Sequence, residues 1–385
     1  MENKVYEVSQ PTQKFDYLLL TLIIALVSLG LFTVFSASAY VAELSYHTST
    51  YFFKKQLIYA IIGLGGMYAG MRIDFYQLRS FLKPMMYVVT FFSVATYIPF
   101  LGGTVVNGAN GWVRIPVINF GFQPSEIAKI VLILFAANLL SNPQYKKLKF
   151  FEKMITLLPI AGVVGIIVFQ PDIGNTSIIS MALFSIYFAA GLNIPRILGV
   201  VGILGISAIA LILSNPYQMA RITGFLNPWN DPQGKGFQLI QSLMAIGSGG
   251  FSGKGLGQSM QKLFYLPESH TDFIFSIFCE ESGLVGALFF LLLIFLLAQR
   301  GYSIAVRSRD LFVKLLATGI TTLTCGQALM NIGVATGVLP TTGITLPFIS
   351  YGGTSLIVTL FCMGLLLNAS MYTINSWEVL EGEKK

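Results

Sequence analysis

Glu268, His270 and Asp272 alternate in Leu266-Pro-Glu-Ser-His-Thr-Asp272, and an apolar run begins at Phe273. A carboxylate in that place has two readings. It can cap the helix that follows, with Thr271 or Asp272 binding free N–H groups. It can also be a base held at a bilayer surface, kept ionised by the helix dipole and tuned by partial burial. Glu126 and Lys129 form a second cluster in Gln123-Pro-Ser-Glu-Ile-Ala-Lys129. Three residues apart on a helix, they share a face and can pair. Charges inside an apolar span are costly and mark function, unless they lock two spans together as an ion pair. Glu280 and Glu281 lie about two turns beyond Asp272; helical geometry puts Glu280 on its face and turns Glu281 away.

Other acids have plainer readings. Asp172 follows Gln170-Pro171 as an ordinary cap, Asp231 lies in the turn sequence Asn-Asp-Pro, and Glu43 is a solvated loop residue. With only two histidines, His47 and His270, a His-rich metal cage is excluded. The three cysteines, Cys279, Cys325 and Cys362, all fall in apolar runs and read as small core residues.

The elements that must position these residues are membrane spans. The 385-residue chain is 54% hydrophobic and 11% charged, with mean hydropathy +0.72; soluble domains carry about a quarter charged residues. Apolar runs predict an all-α polytopic protein with ten spans, at 17–37, 56–71, 82–101, 124–141, 154–170, 173–192, 196–213, 273–299, 312–338 and 353–374. They form one transmembrane domain, 17–374, between polar tails 1–16 and 375–385. The uncharged stretch 315–377 is too long for one crossing, so the Pro/Gly-rich segment 339–352 must break it.

Lys and Arg gather at the tails and at alternate loops (Arg72 to Lys83, Lys146 to Lys153, Arg300 to Lys314), so that side is assigned to the cytoplasm, with both termini inside. Segments 102–123 and 339–352 and the large loop 214–272, between the seventh and eighth spans, are then outside. That loop is Gly-rich, and Phe237, Ile240, Leu243 and Met244 predict a short amphipathic helix on the outer interface. Trp112 and Trp229 fall at the same interface. The net charge of +7 reflects topology; no basic run is long enough to track a nucleic-acid backbone.

Jointly, several segments carry a resemblance: Gln123-Pro-Ser-Glu126 with Lys129, Gln170-Pro-Asp-Ile-Gly174, Asn227-Pro-Trp229, Gly255-Leu-Gly257, Leu266 to Phe275, Glu280-Glu281 and Gly343 to Gly353. With these the chain resembles the SEDS family (shape, elongation, division and sporulation: FtsW, RodA, SpoVE), and its FtsW/SpoVE branch more than RodA. The resemblance implies a peptidoglycan glycosyltransferase of the bacterial cytoplasmic membrane. It would polymerise lipid II on the outer face, paired with a class B penicillin-binding protein. The family's catalytic aspartate falls on Asp272, and motif positions fall on Trp112, Glu126 and Lys129. Relatives often carry a base just before the tryptophan; here Asn110 and Gly111 stand there, and Arg114 is the nearest base.

Chemistry supports the same expectation. A glycosidase needs two carboxylates because an alkoxide leaves poorly. A lipid diphosphate leaves as a stabilised anion, so cations replace the acid. Asp272 is the expected base for the acceptor hydroxyl. Lys129, Arg114, Arg221 and Lys262 are candidates for holding diphosphate, and Glu126, Trp112 and His270 complete the substrate-binding set. A Mg or Mn ion is compatible; no organic cofactor is expected. Two rivals remain: a transporter flipping the lipid precursor through a path lined by Glu126, Lys129 and Glu280, and a non-catalytic scaffold for a cell-wall synthase.

Overall fold

The computed structural model describes residues 15–98, 103–106, 109–115, 120–191, 216–263, 266 and 269–373. Nine long helices occupy nine of the ten predicted spans: α1 (Tyr17–Tyr46), α2 (Tyr51–Arg72), α3 (Phe75–Ala95), α4 (Pro124–Ser141), α6 (Phe150–Phe169), α7 (Ile173–Ala189), α10 (Ile274–Arg307), α11 (Leu311–Ala335) and α12 (Gly353–Ser370). The span expected at 196–213 lies outside the described residues. Short helices are α5 (Pro143–Lys147), α8 (Pro216–Leu226) and α9 (Phe237–Gly249). Six helices are long and apolar enough to cross a membrane by length and composition alone.

Local chemistry sets the helix starts. Asp16, Asp74, Asp172 and Asp310 cap α1, α3, α7 and α11 by accepting from backbone N–H groups of the first turn. Pro124 opens α4, where its missing N–H costs nothing. Glycine lets α2 and α12 approach closely: a Cβ at Gly364 would collide with the Met67 backbone, and one at Gly70 with the Phe361 carbonyl. Small residues at such contacts are what draw helices together in lipid, where burial alone supplies no driving force.

One end of the bundle collects both ends of the described chain. Arg300 pairs with Asp16 at 2.6 Å, the Asp16 N–H donates to Ser370, and Arg79 pairs with Asp310 at 3.3 Å. The basic loops between α2 and α3, α4 and α6, and α10 and α11 lie at this end. The opposite end holds residues 109–115, 120–122, 216–263, 269–273 and 339–352.

Two segments depart from expectation. Residues 103–122 carry a small antiparallel sheet, β1 (Gly103–Val106), β2 (Ala109–Ile115) and β3 (Phe120–Phe122), in order β1-β2-β3. Its apolar side, Val113 and Phe122, packs on Ala95, Phe92 and Ile127 of α3 and α4. In α9 the buried face is Leu239, Ile240, Ser242, Ala245 and Gly249, while Leu243 and Met244 point outward. The helix therefore docks on the protein: Ser242 Oγ lies 2.6 Å from both Ser276 Oγ and the Ala335 carbonyl.

Candidate active site

The helix α10 begins at Ile274 with Phe273 at its cap position, one residue after Asp272. The turn 269–273 is fastened by its backbone to the segment 339–352. Asn331 of α11 donates from Nδ2 to the carbonyls of Asp272 and Ile344, each at 2.8 Å. Ser350 donates to the Thr271 carbonyl at 2.6 Å, and Tyr351 N–H to that of His270 at 2.9 Å. Three successive main-chain carbonyls, of His270, Thr271 and Asp272, are thus fixed, while the Asp272 side chain is half-buried.

Arg221 reaches the same place from α8. Its Nη2 and Asp272 Oδ2 each lie 3.7 Å from where a Cβ on Gly343 would stand, and its Nη1 donates to the Thr341 carbonyl at 3.4 Å. Acid and guanidinium converge over a glycine. Gly343 has φ +74, a left-handed conformation that glycine adopts without strain. The floor is equally close-packed: a Cβ on Gly174, in the first turn of α7, would meet Ile344 and the Thr342 carbonyl. Gln218 ties α8 to the Pro171 carbonyl at 2.9 Å. Asp172 is the cap expected of it, and it also accepts from Gln123 and Asn175 at 3.1 and 2.7 Å.

The other sequence candidates distribute unevenly. Lys129 is 2% exposed and binds Glu126 at 2.8 Å and Gln327 Oε1 at 3.0 Å. Gln327 in turn donates to the Thr345 carbonyl at 2.9 Å, and the Thr345 hydroxyl meets Ser355. This pair supports the 341–346 segment from beneath, and in this conformation its charges face each other. Lys262 is also buried, 2.8 Å from Glu281, which accepts from Ser36 of α1. Glu280 is fully buried and receives Lys254, Ser248, Ser259 and the Met260 N–H. It anchors the 250–262 loop, while Glu281 bonds to a neighbouring helix through Ser36. Both follow from a kink at Gly283, φ +65, which opens α10 to that loop.

His270 packs its ring against Phe52 and Tyr351, at centroid distances of 4.7 and 5.8 Å. Burial pushes the Tyr351 phenol above the ordinary tyrosine range, so it is a neutral donor. Trp112 and Arg114 lie on β2; Arg114 is exposed, and Trp112 stacks over Gly121. Beside them, Gly111 lies against Gln123, which donates to Asp172. Among the described residues no three His, Cys, Asp or Glu side chains gather as a metal cage.

Asn331, Gln327 and Gln218 position the site, yet none carries charge. The readable signal was their polarity: Gln327 and Asn331, four apart, form one amide face inside an apolar span.

Comparisons with known proteins point one way. Residues 16–375 match the family of cell cycle proteins typified by FtsW, RodA and SpoVE. The chain is 42% identical over 360 residues to a probable peptidoglycan glycosyltransferase FtsW of Geobacter metallireducens, spanning 93% of this chain and 95% of that one. It is 43% identical to stage V sporulation protein E of Bacillus subtilis, spanning 93% and 97%. A solved peptidoglycan synthase complex, described as coordinating polymerization and crosslinking, contains a chain with TM-score 0.73 and 30% identity over 92% of this chain and 97% of its own. Thermus thermophilus RodA superposes with TM-score 0.67 at 26% identity, covering 94% and 98%.

Proposed function

This chain belongs to the FtsW/RodA/SpoVE family of cell cycle proteins, and from that premise we propose that it is a peptidoglycan glycosyltransferase that polymerises lipid II. The observation that carries the reading is the convergence of a half-buried carboxylate and a guanidinium over Gly343, on a backbone fixed by Asn331. Catalysis needs groups already aimed at where charge develops. Asp272 takes the proton of the acceptor sugar hydroxyl as its oxygen attacks the anomeric carbon. The bond to the lipid diphosphate breaks on the opposite face, so the centre inverts. The diphosphate departs as an anion and no acid is required; Arg221 is its counterion, with Arg114 the exposed cation on β2.

Lys129 and Lys262 do not serve this step in the present conformation, because each is enclosed with its own glutamate. A Mg or Mn ion fits only as a guest of the substrate: Asp272 would offer one oxygen and the diphosphate the rest, the usual way magnesium is held. Such an ion would neutralise phosphate charge. The bilayer is the bacterial cytoplasmic membrane, and the excess of Lys and Arg at the end holding Asp16 and Ser370 supports an orientation with that end inside. The partner that would crosslink the product is a class B penicillin-binding protein.

The test is Asp272→Asn, which keeps shape while removing the base. The purified variant should melt as the parent does, because Asn serves at a helix start about as well as Asp, and should bind lipid II. Its polymerisation should fall about 10²-fold or more, a typical general-base contribution. Normal turnover from a folded variant would end the assignment.

A further inference from the structure

At the basic end of the bundle, far from Asp272, a cavity of about 550 Å³ opens between α3, α4 and α6. Its polar lining is Arg79, Ser80 and Lys83 from α3, Asn138 and Asn142 from the end of α4, and Thr156 from α6. Arg79 and Lys83, four apart on one helix, share a face. Arg79 is pinned by Asp310 at 3.3 Å and lies over the Phe312 ring at 4.2 Å, which fixes the guanidinium in place. Lys83 is exposed and has no ion-pair partner among the described residues. The neighbouring turn adds exposed Lys146, Lys147 and Lys149. The nearby acids are Glu152, whose carboxylate accepts the Lys149 N–H, and Asp310, held by Arg79.

Apolar surface adjoins these charges. Phe81 on α3 and Ile155 and Leu158 on α6 are exposed, as expected of helices facing hydrocarbon. A cavity with cations and amides at the level of a helix end, flanked by bare apolar faces, matches an amphiphile in shape and charge.

We propose that this cavity binds the headgroup phosphate of an anionic phospholipid, with Lys83 as its principal cation and the acyl chains along α3 and α6. Basic pockets between spanning helices on the cytoplasmic side favour such headgroups. Free phosphate shares the headgroup's charge but lacks the chains. The site is independent of glycosyl transfer, so loss of activity elsewhere leaves it untouched.

The test uses the purified full-length protein in detergent, with melting temperature followed against added phosphatidylglycerol, phosphatidylcholine or inorganic phosphate. Phosphatidylglycerol should stabilise the protein and the other two should not. Lys83→Glu should weaken the phosphatidylglycerol response about tenfold, the size expected when a basic residue near lipid phosphate is reversed. Lys147→Glu makes the same charge change outside the cavity and should leave that response intact. Should Lys83→Glu lower the lipid-free melting temperature, Asn138→Leu fills the floor without changing charge and should blunt the response equally. An equal response to phosphatidylcholine or to phosphate, retention of the response in both cavity variants, or an equal loss in Lys147→Glu would overturn the proposal.

Discussion

An acid and a base meet the segment 341–346 at two places, Asp272 with Arg221 and Glu126 with Lys129, and the two places differ in what surrounds them. Asp272 and Arg221 approach Gly343 from the open side, half-buried, with the Asp272 backbone tied down. Glu126 and Lys129 lie beneath, enclosed and hydrogen-bonded through Gln327 to Thr345. A buried pair is weak evidence for net stability, yet removing one partner strands a charge in low dielectric. The contrast separates two charges that converge on one place from two that already satisfy each other.

Breaking the enclosed pair gives the largest effect. Lys129→Ala should cost about 3–5 kcal/mol of stability, read as a large drop in melting temperature in detergent. Glu126→Ala combined with it should recover part of the loss, because the stranded carboxylate is gone. If Lys129→Ala melts normally, the pair is not what supports the segment.

A smaller effect is expected between the two places. Asn331→Leu leaves the buried Ile344 carbonyl without this donor, at about 1–3 kcal/mol, while the part-buried Asp272 carbonyl can turn to water. The loss should appear in kcat more than in KM, because Asp272 is displaced while substrate contacts persist. A change confined to KM would mean that Asn331 contacts substrate and not the turn.

The smallest change in stability, with a clear change in activity, belongs to Arg221→Ala. Melting should shift by less than about 1 kcal/mol equivalent, as for a partly exposed charge. Polymerisation should fall about 10-fold or more, in line with the loss of a donor aimed at developing charge. A large drop in melting temperature would place Arg221 with the structural pair.

How much of this was legible follows from the physics of each residue. Apolar runs announce spans because a helix must present about 20 such residues to the bilayer. Pro/Gly clusters announced the break at 339–352. Strands of three to seven residues rich in glycine gave no period-two pattern, so β1 to β3 were hidden. Asp272 stood out because carboxylates are rare on its side, but whether it caps α10 depended on a single residue of helix start. Lys262 looked accessible in a Gly-rich loop; its burial comes from the Gly283 kink and from Ser36, contacts that no local pattern announces. Gln327 and Asn331 were uncharged, in a stretch whose lack of charge was its most visible property.

That kink has a consequence for motion. Where α10 bends, its freed backbone is taken up by the neighbouring loop: Lys254 and Gly255 N–H donate to the carbonyls of Glu280 and Glu281, and Leu284 and Val285 donate to Gly250 and Phe251. The loop carries glycine at 249, 250, 253, 255 and 257, a composition that ordinarily marks a floppy tether. Here it behaves as a plug in a broken helix. Pulling it away would leave the kink's amides and carbonyls with no partner in hydrocarbon, where each costs several kcal/mol. In deuterated buffer those four amide protons should therefore outlast the exposed ones around Leu256, an exchange pattern closer to that of a helix interior than of a linker.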